Sequence, residues 1–196
     1  MWRIVFTLAL IFQSFLVFAQ TPWTLKKDAS GIRIYTRMVP DSKLKEYKAM
    51  TQVDVPLQSI LDELLDAPKY TEEPISGESY YVTQKGENQH VFYALKKLPW
   101  PIKNRDVVTQ LTVERISSKK VMLHIESLPD GIPIVENAIR IQQVEGFWLL
   151  EEEDGTTTIT QQLYLDPEGS LPPVVTNSLL IKGPYKTFSH LQQIGS

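Results

Sequence analysis

Apolar and polar positions alternate with a period of two through most of this chain and shift to a helical period in two places. Residues 23–27 lead into a turn cluster of Asp28, Ser30 and Gly31. Ile32, Ile34 and Tyr35 then open a strand. Residues 44–53 mix charged with apolar and aromatic side chains at short range, which suits a half-exposed antiparallel strand better than a buried parallel one. The two strands are expected to pair through a turn at Pro40, Asp41 and Ser42. Asp54-Val55-Pro56 opens the first helical stretch, with Leu57, Ile60, Leu61, Leu64 and Leu65 on one face and Pro68 as its stop. Strand patterns follow at 80–84, 89–98, 106–115, 120–127, 139–151 and 156–165, separated by turn chemistry such as Gly86-Glu87-Asn88, Ser117-Ser118 and Asp154-Gly155. Residues 171–194 carry Leu179, Leu180, Tyr185, Phe188, Leu191 and Ile194 among polar positions, the second helical stretch. Pro184 is expected to kink it.

The order is a strand pair, a short helix, a run of antiparallel strands and a long terminal helix. Segregation of this kind predicts an α+β fold, a curved antiparallel sheet with a helix across one face and room for a pocket between them. A chain of 196 residues calls for one core.

The first nineteen residues stand apart. Arg3 is followed by an almost wholly apolar run from Ile4 to Phe18, with Val17 and Ala19 at the small-residue positions of a cleavage site. Residues 1–19 therefore read as a signal peptide cleaved before Gln20, with one domain over 20–196. A retained anchor is the competing reading, but spanning a bilayer takes roughly 20 apolar residues, and Thr7, Gln13 and Ser14 interrupt this run. The expected location is secreted or periplasmic. The chain has no cysteine, so it holds no disulfide and lacks the thiol that carries a bacterial lipoprotein's lipid. A formal net charge of −3 offers no field for nucleic acid, which is not expected as a partner.

Residues 98–108 read Leu-Pro-Trp-Pro-Ile-Lys-Asn-Arg-Asp-Val-Val, which resembles the Pro-aromatic-Pro, Asn-Arg-Asp signature of START domains. Trp23, Leu25, Asp28, Gly31-Ile32 and Tyr35 near the start extend the likeness. So do Ile139-Arg140, Trp148-Leu149, Asp166-Pro-Glu-Gly-Ser-Leu-Pro and Asn177. The resemblance covers residues 23–191. It implies a helix-grip fold of the birch-pollen-allergen superfamily, with one lipid or sterol-like molecule in an internal hydrophobic cavity between the sheet and the C-terminal helix. The fold does not by itself choose the cargo. The reading that follows is a non-enzymatic carrier or sensor, monomeric, with transient membrane contact and no cofactor.

Arg105 and Asp106 read as backbone anchors or partners of neighbouring strands. Trp100, between two prolines, reads as a stiff, packed strand entry. For Arg140, two readings stand. In sterol-carrying relatives an arginine at this place pairs with an acidic residue inside the pocket, and here Glu126, or less directly His124, would be the partner. A guanidinium facing solvent on the convex side is the alternative. The segment 128–137 carries Ile132, Ile134 and Val135, and the resemblance places an Ω-type loop here over the cavity mouth. Its apolar residues are expected to act as a lid rather than a core edge. Candidate ligand-binding residues are Arg140, Glu126, His124, Tyr93, Trp148, Ile132, Ile134 and Phe188.

His90, His124 and His190 share no metal-ligand spacing. The chain has no Gly-x-Ser-x-Gly elbow and no Gly-rich phosphate loop before a helix. An enzyme resembling the aromatase/cyclases of the same superfamily is the alternative function, with Glu126, His124 or Tyr93 as its acid or base. A third reading is an interaction module whose cavity is filled by its own side chains.

Overall fold

The computed structural model describes residues 21–40, 42–66 and 77–194. The alternation predicted from the sequence becomes two faces of one sheet. On β2 (Ile32–Met38) Ile32, Ile34 and Thr36 are buried while Arg33 is exposed. On β3 (Lys45–Val53) Tyr47, Ala49, Thr51 and Val53 face the core. Strand β1 (Thr24–Ala29) pairs with β2 through a turn whose Ser30 and Gly31 both have positive φ, of 53° and 73°, a geometry that favours glycine at the second position.

The remaining strands are β4 (Gly77–Lys85), β5 (Gln89–Lys96), β6 (Asn104–Ser117), β7 (Lys120–Ser127), β8 (Ala138–Arg140), β9 (Val144–Glu153) and β10 (Thr156–Leu165). They lie in the order β1-β2-β3-β10-β9-β7-β6-β5-β4, with β8 beside β6. All neighbours are antiparallel except β8 with β6. The sheet is thus two antiparallel runs joined where β10 pairs with β3, with Tyr47 opposite Leu163.

Helix α1 (Leu57–Leu65) lies in the connection from β3 to β4 and buries Leu57, Ile60, Leu61 and Leu64. Its first turn has no side-chain cap from its own N-terminus; Glu152 on β9 accepts the Leu57 N–H at 2.9 Å instead. The C-terminal helix begins as α2 (Pro173–Asn177), widens into a π-helical stretch (Ser178–Lys182) and continues as α3 (Gly183–Gln193). The wide turn stands where the kink was expected, because Pro184 has no N–H for the helical ladder. Phe188 and Leu191 of α3 are fully buried against the sheet, and Phe188 stacks on Trp148 with ring centroids 5.6 Å apart. Burial of each is worth about 1.5–3 kcal/mol. The fold is α+β, a ten-stranded curved antiparallel sheet gripping a C-terminal helix.

Most boundaries shift by a few residues, and two of the differences bear on the site. Residues 139–151 form two strands, since the chain leaves β6 after Arg140 and enters the β7–β10 register only at Val144. The terminal helix starts at Pro173 rather than 171. The proposed signal peptide, Asp41 of the expected turn and the Pro68 stop lie outside the described residues.

Gly146 is required by close packing. A Cβ there would sit 2.2 Å from the Gln162 carbonyl oxygen and 2.9 Å from the Leu163 side chain. Gly146→Ala is therefore expected to destabilise the protein by about 2–4 kcal/mol, an overpacking cost at the upper end because backbone must move. Chemical denaturation of the two proteins measures it.

Candidate functional site

Between the inner face of the sheet and the C-terminal helix lies a cavity of about 660 Å³, within the range that encloses one small lipid-like molecule. Alternation on each strand builds its wall. Phe92 and Ala94 come from β5, Thr109 and Leu111 from β6, and Trp148 from β9, with Leu180 closing the helix side. Polar groups within it are few. Tyr47 and Gln161 are buried, and the Tyr47 hydroxyl donates to Gln161 Oε1 at 2.8 Å. That bond leaves the Gln161 amide nitrogen as a donor toward the cavity, which Gln161 borders. Burial pushes the Tyr47 phenol far above its ordinary range, so it stays protonated.

The Asn-Arg-Asp tripeptide at the start of β6 works as an anchor for three segments. Asn104 Oδ1 accepts the Leu98 N–H at 3.1 Å, closing the loop between β5 and β6. Arg105, 6% exposed, donates to the carbonyls of Lys103, Pro167 (2.7 Å) and Glu168 (3.1 Å), and so fixes the approach to α2. Asp106, 1% exposed, accepts from Arg140 Nε at 3.0 Å and Nη2 at 2.8 Å through Oδ2. The anchoring role expected for Arg105 and Asp106 matches these contacts.

Arg140 is buried, yet its partner is neither Glu126 nor His124. Parallel pairing of β8 with β6 sets Asp106 opposite Arg140. The remaining guanidinium donors bind the carbonyls of Pro129, Ile132 (3.2 Å) and Pro133 (3.1 Å). Arg140 thus holds the 128–137 segment to the sheet and lies off the cavity wall. Glu126 and His124 point to the opposite face, because Ile125 between them borders the cavity. Glu126 is exposed, and His124 pairs there with Glu114 at 2.7 Å.

The 128–137 segment covers a second, smaller core on the outer face. Leu128, Ile132 and Val135 pack on Val91, Tyr93 and Val108, whose side chains alternate with those of Phe92, Val107 and Thr109 on the cavity side. Its placement is that of a core edge rather than of a lid, and Ile134 stands 77% exposed at its tip. Of the eight candidates, Tyr93 and Trp148 border the cavity, Tyr93 while belonging to the outer core. Phe188 packs behind Trp148. Arg140, Glu126, His124, Ile132 and Ile134 do not border it. Trp100, expected to be packed, is 93% exposed.

The structure adds Tyr47, Gln161 and Thr109, which the sequence reading passed over. A signal for Gln161 was present: it shares parity with Ile159, Leu163 and Leu165 on β10, so a polar side chain falls on an inward position. His190 binds Glu63 at 2.9 Å, joining α3 to α1, while partial burial lowers the His90 pKa. Among the described residues, no group of three His, Asp or Glu could hold a metal ion.

Comparison with known proteins agrees with this architecture. The family model described as START domain matches residues 16–195. An uncharacterized protein of Pseudomonas aeruginosa is 29% identical over 87% of this chain and 85% of its own length. The phosphatidylcholine transfer protein of Mus musculus is 28% identical over 79% of this chain and 75% of its own. The crystal structure of the STAR-related lipid transfer protein of Xanthomonas axonopodis superposes with a TM-score of 0.78 at 27% identity, covering 87% of this chain and 97% of that one.

Proposed function

We propose, from the premise that this chain belongs to the START domain family, that it is a non-enzymatic carrier or sensor enclosing one lipid or other hydrophobic molecule. The observation that carries this reading is the 660 Å³ cavity, walled mainly by apolar side chains, with the hydrogen-bonded Tyr47–Gln161 pair among its few polar groups. Such a wall supplies affinity through buried apolar area at roughly 25 cal/mol per Å², while the polar pair orients the ligand. Trp148 and Tyr93 are the candidate residues retained for this role. A cavity of this size counts against an interaction module filled by its own side chains. Of the acid or base candidates of the cyclase reading, Glu126 and His124 lie on the outer face, and Tyr93 alone borders the cavity.

Export to the periplasm or medium, with cleavage before Gln20, is the setting we assign to this monomeric carrier. Native mass spectrometry of the protein from its own host, followed by solvent extraction, tests both points. The expected result is a chain that begins at Gln20 and bears a discrete added mass extracting as one lipid class. An unladen chain that also takes up no fluorescent lipid would overturn the carrier reading.

Membrane contact belongs to one end of the sheet. Strand β5 ends there and β6 begins, β7 ends there and β9 begins, and the segment clamped by Arg105 leads from there into α2. Trp100 and Ile134 are strongly exposed on these connections, as is Val174 in the first turn of α2, and exposed apolar side chains of this kind favour a bilayer interface. The double substitution Trp100→Ser, Ile134→Ser is expected to weaken binding to phosphatidylglycerol-containing vesicles by about tenfold or more, from the apolar area withdrawn. Vesicle sedimentation measures it, and unchanged binding would place the contact elsewhere.

A further inference from the structure

The charge around the cavity runs against the charge of the protein. The chain carries 23 acidic and 20 basic side chains, yet among the described residues the charged side chains bordering the cavity are Lys43 and Lys45, with no carboxylate. Both stand at the start of β3, where β10 ends with Leu165. Antiparallel pairing brings the end of β5 and the start of β6 to this same end of the sheet. Lys96, the last residue of β5, lies on the strand face that carries Phe92 and Ala94 into the cavity wall. On α3, Lys186 adjoins Thr187 and is one turn from Gly183, both of which line the cavity. Among the described residues, none of these four lysines forms an ion pair with a carboxylate.

The geometry points to a ligand class: resting on the carrier reading, we propose that the cavity takes an amphiphile with an anionic head, carboxylate or phosphate. Lys43, Lys45, Lys96 and Lys186 hold the head at this end of the sheet, and the apolar body runs inward past Gln161 toward Leu111 and Trp148. A concave site with low-dielectric walls and one sign of charge at its rim focuses the field on an incoming counter-ion. An ammonium held near another without a carboxylate between them is stabilised when an anion binds both. Partial burial and, to a lesser extent, repulsion from the neighbouring Lys186 lower the Lys96 pKa, as expected for two ammonium groups with no anion between them. Lysine suits this task as a compact point charge on a long, adjustable stem that accepts either head.

Three ligands of one chain length separate the possibilities: laurate, dodecyl phosphate and dodecanol, competing for the delipidated full chain against the neutral probe N-phenyl-1-naphthylamine. The expected result is that one or both anions displace the probe at a concentration at least about tenfold below that of dodecanol, the scale of several partly exposed charge contacts acting together. The gap between laurate and dodecyl phosphate then identifies the head. Lys43→Gln with Lys45→Gln, and separately Lys96→Gln with Lys186→Gln, should each shrink the preference for the anions over dodecanol about threefold, and added salt should shrink it in the parent protein. Equal competition by all three ligands overturns the anionic-head proposal and leaves the carrier reading standing. A preference that survives both pairs of substitutions overturns it too, whereas failure of the parent protein to bind the probe or any dodecyl ligand overturns both.

Discussion

Arg140→Ala lowers the stability of the folded protein by about 3–5 kcal/mol, the cost of leaving a buried carboxylate without its partner. The side chains of Arg140 and Asp106 are 4% and 0% exposed, so solvent cannot replace the guanidinium at Asp106. Asp106 Oδ1 already has no hydrogen-bond partner, and loss of Arg140 would strip Oδ2 as well. The same substitution removes the donors to Pro129, Ile132 and Pro133. The 128–137 segment should then loosen, exposing Val91 and Val108 beneath it. Urea denaturation gives the loss of stability, and limited proteolysis should cut within 128–137 in the variant before the parent. Asp106→Leu combined with Arg140→Met removes both charges and is expected to cost less than Arg140→Ala alone, because no buried ion is left unpaired. A double variant as unstable as the sum of the single ones would mean that the two side chains act independently.

That pair also shows where the sequence stopped being readable. Two strands, 120–127 and 156–165, have the boundaries their alternation predicts. The α+β class follows from the order of elements, which needs no knowledge of packing. The partner of Arg140 does need it. Ile139-Arg140-Ile141-Gln142 reads as the continuation of an alternating strand, and on that reading the nearest acid is on the preceding strand. The chain instead runs three residues parallel to β6 and then changes register, a long-range event without a local mark. Parity was a mark that could have excluded Glu126 and His124, since Leu123 and Ile125 on the same strand claim the inward face. The lysine rim has no such mark, because strand-end lysines are ordinary until the topology shows which end of the sheet they share.

Thr109→Trp should abolish or strongly weaken ligand uptake, by about tenfold or more in affinity, with little loss of stability. Thr109 lies on β6 between Phe92 and Ser127 of the flanking strands, and it borders the cavity. A large side chain there enters space that no protein atom fills, so it does not meet the close packing that makes overpacking costly. It can bury apolar surface of its own, which offsets the change in strand geometry. A ligand occupying the same space must be displaced, and its affinity falls by the contacts it loses. Uptake is read from displacement of a fluorescent probe and stability from the thermal midpoint of the same samples, so that unfolding is not mistaken for a blocked cavity. On the neighbouring strand β7, His124→Ala with Glu126→Ala acts on the outer face and should leave uptake unchanged. If the outer-face variant lost the ligand and Thr109→Trp kept it, the binding site would lie on the other side of the sheet, beneath the 128–137 segment. The alternation of β6 makes the opposite outcome the expected one, because Val107, Thr109 and Leu111 face the cavity while Val108 packs beneath that segment.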